Sequence, residues 1–479
     1  MSESEKRTSS INIVQMATKL KSEELNMTKF MDLNDDCLLH LLRFFDVFGL
    51  MQLRGICSRL DNLILQSRKR FGIVNLKELN LHPFPFKEEK ILEILEFLGP
   101  QIKELEFSST FHYFIEDKSV IFDCITENFT ILETFHLEIN MLDIKLIEKF
   151  APIVKRLKSL TLGGYEIDDQ LSMCFLNASL EELKIEGCNE KITKKFFENV
   201  SNLKSLTIYE CSNLTSSCYI EILKHNLKLK KLTLNVNSEG YPYNHLKNLE
   251  GSHNLVNFIV NNLQEIEELS FDIFSPNASL FADLPNLKVL NILQQSADYS
   301  SISRELNKLL EKLIEKNFIE KLSITTEFYS PINLNLVNKL TNLKELSLYG
   351  TPELDENDLI KLQTLENLEM LAIENLVKTT SVFCLLEPLK KLQKLKLEGS
   401  FVTPKFFRQL ISLLRRLENR PKLNLVVDRI HASCSYDFLR TNKDILDLEI
   451  LKDDGAWTAS DISSDDYEDE FGEYIALNY

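Results

Sequence analysis

Between residues 76 and 397 the chain repeats one short phrase: an apolar residue, two mostly polar ones, an apolar residue, a polar one and an apolar one. It reads LKELNL at 76, IKELEF at 102, LETFHL at 132, LKSLTL at 157, LEELKI at 180, LKSLTI at 203 and LKKLTL at 229. It continues with IEELSF at 266, LKVLNI at 287, IEKLSI at 319, LKELSL at 343, LEMLAI at 368 and LQKLKL at 392, and LNLVVD at 423–428 is a terminal variant. The second half of each phrase alternates polar and apolar, which is the period-two mark of a strand with one buried face. In LKSLTI, Leu206 and Ile208 point one way while Ser205, Thr207 and Tyr209 point the other. Between phrases, apolar residues recur every three or four positions at 143–157, 192–200 and 302–318, which predicts helices. One strand and one helix cannot bury their own apolar side, but a stack of such units can.

The thirteen copies recur on average about every 26 residues, with spacings from 21 to 37. Phrase and period are those of the leucine-rich repeat. The expected fold is an α/β solenoid, a horseshoe with parallel strands on its concave face and helices on its convex face. Cys188 and Cys211 stand where the chain leaves the strand, at the position this motif fills with Asn or Cys, so both read as structural. The longest gap, from Leu229 to Ile266, reads as an insertion carrying Tyr241, Tyr243, His245 and His253, which offers a surface loop to a partner.

Residues 30–60 do not follow the repeat. Leu38, Leu41, Leu42 and Phe45 have helical spacing, Asp35 and Asp36 sit near the N-terminal end, and Gly49 is expected to interrupt before Leu50, Leu53, Ile56 and Cys57 resume the stripe. Two or three short helices follow from this. They form either a docking unit or a plain cap on the first repeat. The stretch resembles the F-box, whose pattern opens with Leu-Pro and an acidic residue and ends in Val-Cys and a basic residue. Leu33 matches the first Leu, Asp36 the acid and Cys37-Leu38 the next pair. Leu41-Leu42 and Phe45 follow, then Leu50 and Leu53, and Ile56-Cys57 with Arg59 nearby closes the pattern. Asn34, Gly49 and Leu60 depart from it where Pro, Asp and an aromatic are usual.

An F-box ahead of leucine-rich repeats is similar to the substrate receptors of Skp–cullin–F-box ubiquitin ligases. The resemblance implies that Leu33, Asn34, Asp36, Leu38, Leu50, Leu53, Ile56 and Cys57 face or support a Skp-type adaptor, and through it a cullin. It also implies that the repeats hold the protein to be ubiquitinated and degraded. The organisation expected is an N-terminal segment at 1–29, the helical unit at 30–70, the array at 71–452 and an acidic tail at 453–479 that is expected to be disordered.

Charge and chemistry narrow the function. The 479 residues carry 55 Lys and Arg against 72 Asp and Glu, a net −17 that disfavours a nucleic-acid partner. The first thirty residues hold no long apolar run, so no secretory signal is expected, nor is a membrane partner. Nine cysteines without CxxC spacing suit reduced thiols in the cytoplasm or nucleus. No HExxH, phosphate-cradling loop or zinc-ligand spacing occurs, so the reading is non-catalytic, with no cofactor and no metal.

The outward strand positions form a wall with eleven acids and five bases. The expected target contacts are Glu104, Glu106, Glu138, Glu182 and Glu186, which steer a basic partner, with Tyr209, Val289, Leu293, Tyr349 and Met370 as anchors. The competing reading is a leucine-rich scaffold or GTPase regulator, for which no transition-state Arg is marked.

Overall fold

The computed structural model describes residues 32–75, 88–107, 118–138, 144–164, 167–186, 191–209, 211, 214–235, 252–272, 277–294, 299–326, 332–350, 354–374, 376, 378–417, 420–430 and 442–450. The chain divides into two compact units, Met1–Leu287 and Lys288–Tyr479.

The first unit opens with three short helices, α1 Asp35–Leu42, α2 Val47–Leu53 and α3 Ser58–Ser67. Their shared core is Leu38, Leu42, Leu50, Leu53, Leu60, Leu63 and Ile64, all buried. Asn34 caps α1: its Oδ1 accepts from the Cys37 backbone at 2.8 Å. Arg59 ties this start to α3, donating to Asp35 at 2.8 Å and to the Leu33 carbonyl at 2.7 Å. Gly49 does not interrupt the stripe. It lies inside α2 and is pressed against Phe45, whose ring a Cβ there would meet at 2.8 Å. The break falls at residues 43–46 instead, where Asp46 caps α2 by accepting from Gly49 N–H at 2.7 Å.

Eight strands follow: β1 Ile73–Asn75, β2 Glu104–Phe107, β3 Thr134–Glu138, β4 Ser159–Gly163, β5 Glu182–Glu186, β6 Ser205–Tyr209, β7 Lys231–Asn235 and β8 Glu268–Asp272. Each lies parallel to the next, and the same phrase position runs through the register as Leu105, Phe135, Leu160, Leu183, Leu206, Leu232 and Leu269. β1 departs from expectation. Val74 sits opposite Leu105, where the phrase LKELNL would have placed Leu79, so the first strand starts earlier than that phrase. Residues 76–87, including Glu78 and the whole of that phrase, lie outside the described residues.

The connecting elements are α4 Glu88–Leu98, α5 Lys118–Asn128, α6 Ile144–Val154, α7 Ser216–Lys224 and α8 Ser252–Asn262. The expected helix at 143–157 is α6. The stretch at 192–200 forms only a 3₁₀ turn, Lys194–Phe197, and others lie at Asp169–Phe175 and Ala278–Asp283. These occur between closely spaced phrases, where the steeper rise of the 3₁₀ turn crosses the layer in fewer residues. Part of the longest gap is α8; residues 236–251, with Tyr241, Tyr243 and His245, lie outside the described residues.

The second unit repeats the scheme with β9 Val289–Gln294, β10 Lys321–Thr326, β11 Glu345–Tyr349, β12 Met370–Glu374, β13 Lys394–Val402, β14 Leu423–Ile430 and β15 Leu446–Ile450, each parallel to its neighbour. Its helices are α9 Tyr299–Lys316, α10 Leu334–Val337, α11 Glu356–Ile360, α12 Phe383–Leu386 and α13 Pro404–Arg416. α9 covers most of the stretch expected at 302–318. β14 is the terminal variant, and β15 adds a strand at ILDLEI, 445–450, a copy of the phrase not counted above. Parallel one-strand repeats backed by short helices identify both units as leucine-rich-repeat solenoid.

Three devices seal neighbouring repeats. In the first, consecutive amides at the start of a strand share the carbonyl of the preceding repeat. Glu133 N–H and Thr134 N–H reach Lys103 O at 2.9 and 3.0 Å, and Lys204 N–H and Ser205 N–H reach Glu181 O at 2.7 and 3.0 Å. The side chains at this row form exposed pairs: Lys158–Glu133 at 3.0 Å, Lys204–Glu181 at 2.8 Å, Lys230–Glu267 at 3.1 Å and Lys344–Glu320 at 2.8 Å. The hydrogen bond from Lys204 holds the Glu181 carboxyl below its ordinary pKa. Such surface pairs add little stability but favour the correct neighbour.

The second device is an arginine that reaches a late carbonyl of a helix in an adjacent repeat, where the helix leaves its carbonyls unsatisfied. Arg68 donates to Phe97 O at 2.8 Å, and Arg156 to Ile125 O at 2.8 Å and Thr126 O at 3.2 Å. Arg420 donates to Leu386 O and Leu392 O, and burial pulls its pKa down to about 10, which still leaves it charged at neutral pH.

The third device is Asn226, which is fully buried. Its Oδ1 accepts from Leu203 N–H at 3.0 Å, and its Nδ2 donates to Ile222 O at 2.9 Å and Val200 O at 3.2 Å. Asn226→Ala strands a buried amide and a carbonyl, so a loss of about 1–3 kcal/mol is expected from chemical denaturation. An unchanged denaturation midpoint would show that water replaces the side chain without cost.

Phenylalanines fill the space between the strand and helix layers. Phe150 lies 5.7 Å from Phe122 and 6.0 Å from Phe135, and Phe196 lies 5.2 Å from Phe175 and 4.9 Å from Phe197 between ring centres.

Candidate functional site

Two surfaces offer themselves to partners, the outside of the three-helix unit and the open face of the strands. On the first, the structure redistributes the residues expected to meet an adaptor. Leu38, Leu50 and Leu53 are core, so they can only support an interface. Leu33, Ile56 and Cys57 are half-buried, while Asn34 and Asp36 are exposed.

The apolar side chains that reach solvent are different ones. Cys37 and Leu41 of α1 and Phe44 in the following turn are exposed, Leu41 by 37% and Phe44 by 67%. Their spacing puts them on one side of the helix, and His40 packs its ring edgewise on Phe44 at 5.5 Å. The signal was present in the sequence: α1 and its exit carry more apolar residues than one buried stripe can take up.

This unit is fastened to the first repeat. The Phe97 ring of α4 lies beside the guanidinium groups of Arg54 and Arg68, 5.2 and 5.8 Å from the ring centre. Arg70 reaches back to the Phe45 carbonyl, within the three-helix unit. Arg68 is shifted below its ordinary pKa, first by burial and then by Arg54.

The strand face is arranged in three columns. In the first unit they run Glu104, Thr134, Ser159, Glu182, Ser205, Lys231, Glu268; then Glu106, His136, Thr161, Lys184, Thr207, Thr233, Ser270; then Glu138, Gly163, Glu186 and onward to Tyr209 and Asn235. β2 to β5 thus present Glu104, Glu106, Glu138, Glu182 and Glu186 against one lysine, and the structure does bring these five acids onto one face. Their field is partly met from within by Lys184, which is 2.6 Å from Glu186 with its ammonium 5.6 Å from the Tyr209 ring centre; His136 lies 3.6 Å from Glu104.

In the second unit the outer columns carry Val289, Lys321, Glu345, Met370, Lys394 on one side and Leu293, Thr325, Tyr349 on the other. The expected anchors Val289, Leu293, Tyr349 and Met370 are half-buried there, as is Tyr209 in the first unit. Between them the middle column is short: Ser347 is 8% exposed and Ala372 fully covered. Lys396 stretches across this low floor, pairing with Glu398 and placing its ammonium 5.8 Å from the Tyr349 ring centre. The lysines of this face are paired, Lys321 with Glu345 at 2.6 Å and Lys394 with Glu449 at 4.0 Å, so these charges are met within the face.

The described cysteines are free thiols. Cys211 is buried in its turn and donates to Tyr209 O at 3.5 Å, while Cys188 lies outside the described residues. Burial pushes the Cys124 thiol up to about 11 and the Cys174 thiol up to about 12. The thiolate is the reactive form, so neither reacts at pH 8. Brief maleimide treatment at pH 8, read by peptide mass spectrometry, is expected to mark exposed Cys37 and to spare Cys124, Cys174 and Cys211 until denaturant is added. Early marking of Cys174 would show that α6 and the following turn open readily. Among the described residues no group of three or more His, Cys, Asp or Glu is arranged to hold a metal, and no helix is long and apolar enough to cross a membrane. The acidic tail at 453–479 lies outside the described residues.

No family model matches the chain. Among solved structures, it is similar to a chain of the yeast Rad7–Elc1 complex, at 15% identity and a TM-score of 0.46, over 90% of this chain and 97% of that one. It is also similar to a chain of the Drosophila Toll–Spatzle complex, at 12% identity and 0.38, over 67% and 43% of the two chains. The TLR13–ssRNA13 complex matches at 16% and 0.35, over 75% and 59%. At such low values the functional reading rests on the chain's own residues.

Proposed function

We propose that this chain is a non-catalytic receptor that couples a captured protein to a ubiquitin ligase. In this reading the three-helix unit docks on a Skp-type adaptor, which in turn joins a cullin. The strand face holds the protein to be ubiquitinated. The observation that carries the reading is the exposed Cys37, Leu41 and Phe44 stripe on a unit that otherwise has a closed core. Apolar side chains left on one side of an F-box-like helix are what an adaptor interface needs. The clamp of Arg54 and Arg68 on Phe97 supports a fixed link between that unit and the first repeats, which would present a captured protein at a defined distance.

The acids of β2 to β5 favour a target segment rich in Lys or Arg, and Tyr349 and Met370 are suited to anchor an apolar residue. The ligase chemistry belongs to recruited partners. The test is co-purification of the full chain with a Skp-type adaptor, comparing the native chain with Leu41→Asp/Phe44→Asp. Both side chains are exposed, so the double variant keeps its fold while losing at least about tenfold in adaptor affinity. No binding by the native chain, or equal binding by the variant, would leave a leucine-rich scaffold as the surviving reading.

A further inference from the structure

α2, α3 and α4 enclose a groove of about 310 Å³ that shares no residue with the Cys37, Leu41 and Phe44 stripe. Its floor is apolar: Phe97 is only 4% exposed, with Met51 and the partly exposed Leu65 beside it. Arg54 and Arg68 stand over that floor, and Glu93 and Glu96 line the same groove from α4. Charges so placed would ordinarily pair. Among the described residues, neither guanidinium has a carboxylate at ion-pair distance, and neither glutamate has a cation there. Arg68 also keeps a buried Nε without a hydrogen-bond acceptor. Two cations held at one ring repel each other; the ring and the Phe97 carbonyl, which accepts from Arg68 at 2.8 Å, offset part of this, but among the described residues no carboxylate does.

We infer that the groove receives a helix of a partner protein, with one apolar side chain against Met51 and Leu65, a carboxylate against Arg54 and Arg68, and a basic group against Glu93 and Glu96. The charge pattern selects this occupant. The two glutamates repel a phosphate chain or an anionic membrane, and the two arginines repel a purely basic segment. A helix that carries both signs around one apolar residue satisfies all four groups while covering the floor. The site is independent of the adaptor reading, because none of its residues lies on the α1 stripe.

The test uses the full chain and a fluorescein-labelled, alanine-based helical peptide carrying one leucine flanked by a glutamate and a lysine. Saturable binding by anisotropy is expected, and Arg54→Glu or Glu93→Lys should each weaken it about tenfold or more. Glu93 is exposed and lies outside the clamp of Arg54 and Arg68 on Phe97, so circular dichroism and thermal melting of Glu93→Lys should match the native chain, which makes it the deciding variant. Versions of the peptide with only glutamate or only lysine should bind no better than the variants do. Absence of saturable binding, equal binding of the one-sign peptides, indifference to both substitutions, or displacement by free leucine would each overturn the inference.

Discussion

Gly350→Ala is expected to destabilise the second unit by about 2–4 kcal/mol. Gly350 follows β11 with φ +61, a conformation that costs an alanine energy and a glycine little. Space is the larger problem, because a Cβ built there falls on the backbone carbonyl of Thr326 in the neighbouring repeat. The chain cannot yield without breaking the bonds on either side: Thr326 Oγ1 donates to Gly350 O at 2.6 Å, and Gly350 N–H donates to Glu374 at 2.7 Å. Three successive repeats therefore meet at this one turn. Solenoid repeats need not unfold together, so hydrogen exchange should accompany the denaturation curve. Loss of protection centred on β10 to β12 is expected. A wild-type melt with unchanged protection would mean that the turn relaxes cheaply and that its packing is not what joins these repeats.

The second large effect is Leu38→Asp, which should unfold the three-helix unit rather than merely weaken docking. Leu38 is completely buried among Leu42, Leu60 and their neighbours. The substitution removes an apolar side chain, at about 2–5 kcal/mol, and asks a carboxylate to enter the same space. Three short helices have little core to spare, and a further penalty of several kcal/mol exceeds what such a small unit can hold in reserve. Hydrogen exchange across residues 35–67 should rise to the rate of an unfolded chain while the β6 and β7 amides stay protected. Adaptor binding would be lost as well, but through unfolding, so only Leu41 and Phe44 report on the interface itself. Retained protection in Leu38→Asp would mean that the side chain escapes to solvent and that this helix is not packed as described.

The repeats were legible because their information is local. Alternation within LKSLTI decides which side chains face inward, and each unit meets a neighbour built to the same rule, so Leu206 and Leu232 fall into register without any knowledge of the whole. That is why β2 to β14 stand where the pattern predicts them. At the ends the rule weakens. β1 has a neighbour on one side only, and its pairing with β2 was won by Val74 over the better-matching phrase that follows. β15 does carry the phrase spacing in ILDLEI at 445–450, with Ile445 leading and Leu448 in the register position of Leu425, but Leu446 stands where a polar residue is usual, and this copy was passed over.

The candidate surfaces were legible only in part. That residues 30–60 form short helices with more apolar residues than they can bury follows from composition and spacing. Which leucines go inside depends on the angles at which α1, α2 and α3 meet, and those angles placed Leu38, Leu50 and Leu53 in the core and Leu41 and Phe44 outside. Likewise the wall's net charge can be counted along the chain, whereas its field depends on Lys184, Lys321 and Lys396 finding acids on their own or adjacent strands. The arginine that caps a helix lies 29 to 34 residues from its acceptor, too far for any periodic pattern to reveal. Sequence alone determined the repeating strand and its buried side, because backbone geometry imposes that alternation residue by residue. Tertiary structure decided which apolar and charged groups remain available to a partner, because availability is whatever packing and long-range pairing leave over.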